Sequence, residues 1–195
     1  ALRHDLGPRT FIARLGGGSL YQTEQLDAHP WGGSLDFTLR GMPVETTVRS
    51  IGRMERVTAE CAAGKIEVAP ALWTVQGYYL HIYLAEASFL QPLDDPWGIF
   101  AGLKARVEPY PEAFRQAAID FFLPRAGYWM NSFHYLSAIE RGDFVYTSGI
   151  LQQSFHNLVQ ALFPINRRFF SGDKRLAVQL AGLPLCPRLL LDSLD

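Results

Sequence analysis

Residues 110–174 constrain this chain most, because they read as helix almost throughout: YPEAFRQAAIDFFL, then AGYWMNSFHYLSAIERGDF, then a long run ending in FPINRRFFSGDK. From Phe144 onward, Phe144, Ser148, Leu151, Phe155, Leu158 and Leu162 recur at steps of three or four. That spacing keeps side chains on one stripe of an α-helix, so it predicts a helix over 143–163 that is buried along one side. Asp143 stands just before the stripe, where a carboxylate can accept hydrogen bonds from the free N–H groups of the first turn, and Pro164 marks the far end. Upstream, Phe114, Ala117, Ala118, Phe121 and Phe122 give an inner face to a helix over 111–123, and a third helix is expected over 125–141. Trp129, Tyr135, Phe155, Phe169 and Phe170 recur at helical spacing and read as bundle core.

Before this block the period changes to two. Leu35, Phe37 and Leu39 alternate with Asp36, Thr38 and Arg40; after a turn at Gly41-Met42-Pro43, Val44, Thr46 and Val48 alternate with Glu45, Thr47 and Arg49. This is a hairpin signature with one apolar and one polar face. Asp36 and Glu45 are then expected on one face of adjacent strands. Paired carboxylates there suit a magnesium ion, a hard cation that takes oxygen ligands and bridges them to nucleotide phosphates; a solvated strand face with ordinary charges is the other reading. Met54, Val57 and Cys61 mark a helix over 53–64 ended by Gly64. Residues 66–90 fit either strand or helix. His81, inside that apolar stretch, reads as a buried, hydrogen-bonded core histidine. Leu93-Asp94-Asp95-Pro96 is a turn with Pro96 at a first helical position, followed by a short helix over 98–107. The leucine-rich tail beyond Pro184 is expected to dock on the bundle or on a partner.

At 195 residues, with 48% hydrophobic and 19% charged side chains, the chain can bury a substantial core. The net charge of −1 gives no argument for a nucleic-acid surface. Cys61 and Cys186 lie far apart and near no His-Cys cluster, which points to reduced thiols in a cytoplasmic protein and away from structural zinc. No apolar run reaches the ~20 residues of a membrane span, and no signal peptide opens the chain. Ala1 in place of Met suggests that the natural beginning lies upstream. Ser132 and Ser154 neighbour His134 and His156, but neither serine sits in a Gly-x-Ser-x-Gly elbow.

Tyr110-Pro111, the Arg141-Gly142-Asp143 step and the run from Ile165-Asn166-Arg167-Arg168 through Phe169-Phe170-Ser171-Gly172-Asp173-Lys174 carry a resemblance. Over residues 32–174 the chain resembles bacterial nucleotidyltransferase-like proteins of the polymerase-beta-like, kanamycin-type superfamily. Pro164-Ile165 departs from the family's small-residue-leucine pair, and Ser171 stands where proline is usual. The resemblance implies an α+β fold: a small antiparallel or mixed nucleotidyltransferase-like sheet region over 1–92, incomplete, then a helical bundle over 93–195. It implies metal-dependent transfer of a nucleoside monophosphate from ATP or another nucleoside triphosphate to a small-molecule or protein acceptor, with magnesium as cofactor. Glu45 matches the third metal-binding acid best, with Asp36 beside it. Lys174, Arg141, Asn166 and Tyr110 fall to substrate binding; helix-end interactions are the structural reading of Lys174 and Arg141, and capping that of Asn166. Gly16-Gly17-Gly18-Ser19 resembles the family's Gly-Ser phosphate loop, with a surface turn as the other reading, but Asp27-Ala28-His29 supplies one acid where the family has Asp-x-Asp. The paired acids then lie upstream of Ala1, or the protein has lost them and keeps the fold as a non-catalytic binding or regulatory protein. A homodimer through the helical region or the tail is a further expectation.

Overall fold

The computed structural model describes residues 18–22, 29–71, 74 and 76–192. Two compact units, Ala1–Met54 and Glu55–Asp195, make up the chain, and its class is α+β: a small antiparallel sheet, then a helical C-terminal region.

The first unit is built on strands β1 (Gly18–Gln22), β2 (Gly33–Leu39) and β3 (Met42–Val48), in the order β1-β2-β3 with both pairings antiparallel. The alternating pattern makes the β2–β3 hairpin, as expected, but the turn sits one residue earlier. Arg40 and Gly41 both have positive φ, 51° and 79°, as a two-residue type I′ turn demands, so Met42 and Pro43 already belong to β3. Phe37 is buried, with Leu39 and Val44 packed against it. Gly32 feeds β2 at φ +89°, and a Cβ there would lie 2.5 Å from the Val48 carbonyl oxygen; only glycine fits. Gly18 and Ser19, expected in a turn or phosphate loop, instead pair as strand with Thr38 and Phe37. Gly16, Gly17, Asp27 and Thr10-Phe11-Ile12-Ala13, a short strand candidate by its sequence after the Gly7-Pro8 turn, lie outside the described residues.

Helix α1 (Ile51–Ala62) buries Met54, Val57, Thr58 and Cys61, one stripe at steps of three and four. Gly64 follows at φ +100°, the left-handed conformation that ends a helix with little cost for glycine.

In the second unit, residues 66–90 resolve into a two-stranded ladder, β4 (Val68–Ala69) with β5 (Tyr78–Tyr79), and helix α2 (Ile82–Phe89). Helix α3 (Ile99–Val107) starts later than expected. The Asp95 carboxylate accepts the backbone N–H groups of Ile99 and Ala101 at 2.8 and 3.1 Å, and Gly98 is the N-cap. Pro96 therefore lies in the turn and not in the first helical position. Helix α4 (Glu112–Gly127) buries Phe114, Ala118 and Phe122, continues through Pro124 and takes the first turn assigned from sequence to a third helix. That third helix is the shorter α5 (Phe133–Glu140). Helix α6 (Phe144–Ile165) packs along α4 and also touches α5; α7 (Leu176–Ala181) and α8 (Arg188–Asp192) close the chain.

The stripe on α6 is only partly buried, against expectation. Ile150 and Ser154 are the buried positions of its first half, whereas every residue over 159–164 is buried. Phe144 and Leu151 are 78% and 52% exposed. Apolar spacing reports a face that avoids water, not what covers it. Nor does the Asp143 side chain cap α6; its carboxylate turns back to the Arg141 guanidinium at 2.9 Å. Beyond Pro184 the tail is tied to the end of α6 by two hydrogen bonds between the Leu185 backbone and the Asn166 side chain, but its Leu185 and Leu189 side chains are exposed; the buried leucines, Leu180 and Leu183, come before it. Among the described residues no helix is long and apolar enough to cross a membrane.

Candidate functional site

Strand alternation places Asp36 on the face of β2 opposite buried Phe37, and Glu45 on the face of β3 opposite Val44. The register makes Asp36 and Glu45 direct cross-strand partners. The hairpin thus brings the two acids together on its polar side, Asp36 half-buried and Glu45 exposed. Like charges directly opposite each other weaken a ladder, and a bound cation would reverse the sign of that interaction. Magnesium is commonly held by one or two carboxylates together with waters and substrate phosphates, a donor set these two residues can begin. Among the described residues there is no group of three or more His, Cys, Asp or Glu side chains placed to hold a metal.

Of the four residues expected to bind substrate, three make contacts that hold the structure. Asn166 is the C-cap of α6: its amide donates to the carbonyl oxygens of Leu162 and Leu185 at 2.8 and 2.9 Å, and its Oδ1 accepts the Leu185 N–H at 2.7 Å. Its capping role is thus seen directly, and it also clasps the tail. Tyr110 stacks on Phe169, 4.5 Å between centroids, and its hydroxyl donates to the Arg168 carbonyl oxygen at 3.3 Å. Burial pushes its phenol pKa far above the ordinary value. Arg141 is the C-cap of α5 and holds Asp143. Lys174 is exposed, and among the described residues its ammonium has no partner. Its loop is held in shape by Gln179, whose amide donates to the carbonyl oxygens of Gly172 and Lys174 at 2.8 and 2.9 Å and accepts from the Ser171 hydroxyl at 3.0 Å.

Sequence reading found His81 but not its partner. Its Nε2 lies 2.8 Å from Gln160 Oε1; because an amide oxygen only accepts, His81 carries its proton on Nε2. The ring packs among Tyr79, Phe114 and Phe122, and burial lowers its pKa to about 4, against which the Gln160 bond acts weakly. His81 is therefore a neutral core residue. The signal for Gln160 was a lone polar residue between Val159 and Ala161, where α6 is otherwise apolar. Nearer the surface, His156 Nδ1 stands 3.9 Å from Asp173 Oδ1, too long for a hydrogen bond and an ion pair only when the ring is protonated. Burial lowers the His156 pKa despite that carboxylate, and Tyr79 is raised to about 12 by burial first and Asp173 second. Cys61 and Cys186 are free thiols, Cys61 buried and pushed up to about 12.

Comparison with protein families, with characterised proteins and with solved structures finds no match to this chain.

Proposed function

We propose that this chain is a cytoplasmic nucleotidyltransferase-like protein that binds a nucleoside triphosphate, such as ATP, with magnesium, and transfers a nucleoside monophosphate to a small-molecule or protein acceptor. The observation that carries the reading is the cross-strand pairing of Asp36 with Glu45. Magnesium bound there would offset the charge that develops on the phosphates during transfer. Asp36 and Glu45 would supply its protein oxygens. Within the second unit, Lys174 is an exposed cation on the Gln179-held loop, a side chain of the type that contacts phosphate.

A second reading, a fold kept for binding or regulation without catalysis, is favoured by a different observation. Three residues expected to touch substrate are engaged in holding the structure: Asn166 by the tail, Arg141 by Asp143, and Tyr110 by Phe169.

Calorimetric titration of ATP with magnesium into the chain, beside its Glu45→Ala variant, tests the nucleotide site that the first reading requires. Magnesium-dependent heat that is weakened at least tenfold in affinity by Glu45→Ala is expected. No heat from either protein would sink the nucleotide site. Release of pyrophosphate from ATP in the presence of acceptor extracts then separates transfer from binding alone.

A further inference from the structure

A run of exposed apolar side chains lies on α5, on the first turns of α6 and on the turn before them. Phe133 is 77% exposed, Phe144 78%, Val145 86% and Tyr128 71%, with Leu136 and Ile139 about half exposed. Helix α5 turns Tyr135 and Ala138 inward and presents Phe133, Leu136 and Ile139 to solvent. A three-residue step, Arg141 to Asp143, joins it to α6, which it contacts. Apolar surface of this extent on two directly joined helices that touch each other marks an interaction site, where scattered single residues would not.

We infer that this α5–α6 face is the contact surface of a homodimer, the same face on both copies. Area is the first argument. Aromatic side chains bring about 150–250 Å² each, so Tyr128, Phe133, Phe144 and Tyr146 at their present exposure offer on the order of 500 Å². The aliphatic neighbours carry the face toward the ~800 Å² per partner of a standard interface.

Charge is the second argument. From Tyr128 to Asn166 the sequence has three charged side chains, Glu140, Arg141 and Asp143, and the last two neutralise each other. A copy of the same face therefore meets little like-charge repulsion, whereas a highly charged partner would find only Glu140 outside that pair to meet it. The composition, rich in Phe and Tyr, without Lys and with Glu140 as its one Glu, is that of an interface core. A lipid surface is the poorer occupant, since a helix lying on a membrane carries Lys and Arg along its polar face, and α6 has none.

Sedimentation velocity of the chain at roughly 1–100 µM, a range that brackets micromolar association, reads the result directly. A species of twice the 21.9 kDa chain mass is expected, shifted to monomer by Phe133→Glu with Phe144→Glu and left intact by Leu189→Glu on the tail. Unchanged far-UV circular dichroism shows that the variants fold. As a measurement that leaves the face apolar, Val145→Cys in a Cys186→Ser background should give a chain-to-chain crosslink with a short bis-maleimide. A monomer throughout, a dimer indifferent to Phe133 and Phe144 but broken at Leu189, or a monomer that instead binds neutral phosphatidylcholine vesicles would overturn the inference.

Discussion

At the scale of single residues, the His81–Gln160 pair has the clearest consequence. Above pH 6.5 the imidazole is neutral in both folded and unfolded chains and adds nothing to pH dependence. As pH falls below the unfolded value of 6.5, the unfolded chain gains a proton that the folded chain refuses until about pH 4. Stability should therefore drop by about 3 kcal/mol over that window, one pKa unit being worth about 1.4 kcal/mol. Urea midpoints at pH 7 and pH 4.5 measure it, and His81→Phe should flatten most of the difference. His81 was legible in sequence because a lone histidine in an apolar run has few other fates. Its bond to a residue 79 positions away was not, since nothing local encodes a long-range partner.

At the scale of elements, the end of α6 is the informative case. Arg168 N–H bonds the Phe163 carbonyl oxygen at 2.9 Å and Arg167 N–H that of Pro164 at 3.0 Å, with Arg167 at φ 50°. This is a Schellman ending with arginine where glycine is usual. Arg167→Gly should be more stable than Arg167→Ala by about 1 kcal/mol, because left-handed backbone costs a Cβ-bearing residue about that much and both variants lose the exposed Glu112 pair. Thermal melts of the two variants check this. Period-two and helical spacing revealed the hairpin, α1, α4 and α6. The boundaries at Pro96 and Pro124 were misread, since the Asp95 carboxylate starts α3 three residues after Pro96 and α4 tolerates Pro124 within its last turns.

At the scale of the whole molecule, the second unit is organised around an aromatic cluster in which Phe122 meets Tyr79, His81 and Phe121. Phe122→Ala should cost about 3–5 kcal/mol, a large part of the ~5–15 kcal/mol of a typical chain, read as a lower urea midpoint. Alternation in the sequence put Asp36 and Glu45 on one face, and the register pairs them directly. Which helical side chains are free to meet a ligand depends on caps and clasps between distant segments, which spacing does not encode. Asn166 shows how far such a clasp reaches. Its side-chain amide exchanges two hydrogen bonds with Leu185 as a backbone peptide group would. Slow deamidation, which replaces that one nitrogen with oxygen, would set a carboxylate acceptor against both the Leu162 and Leu185 carbonyl oxygens while keeping the bond from the Leu185 N–H, so the hold on the segment at Leu185 ages with a single amide.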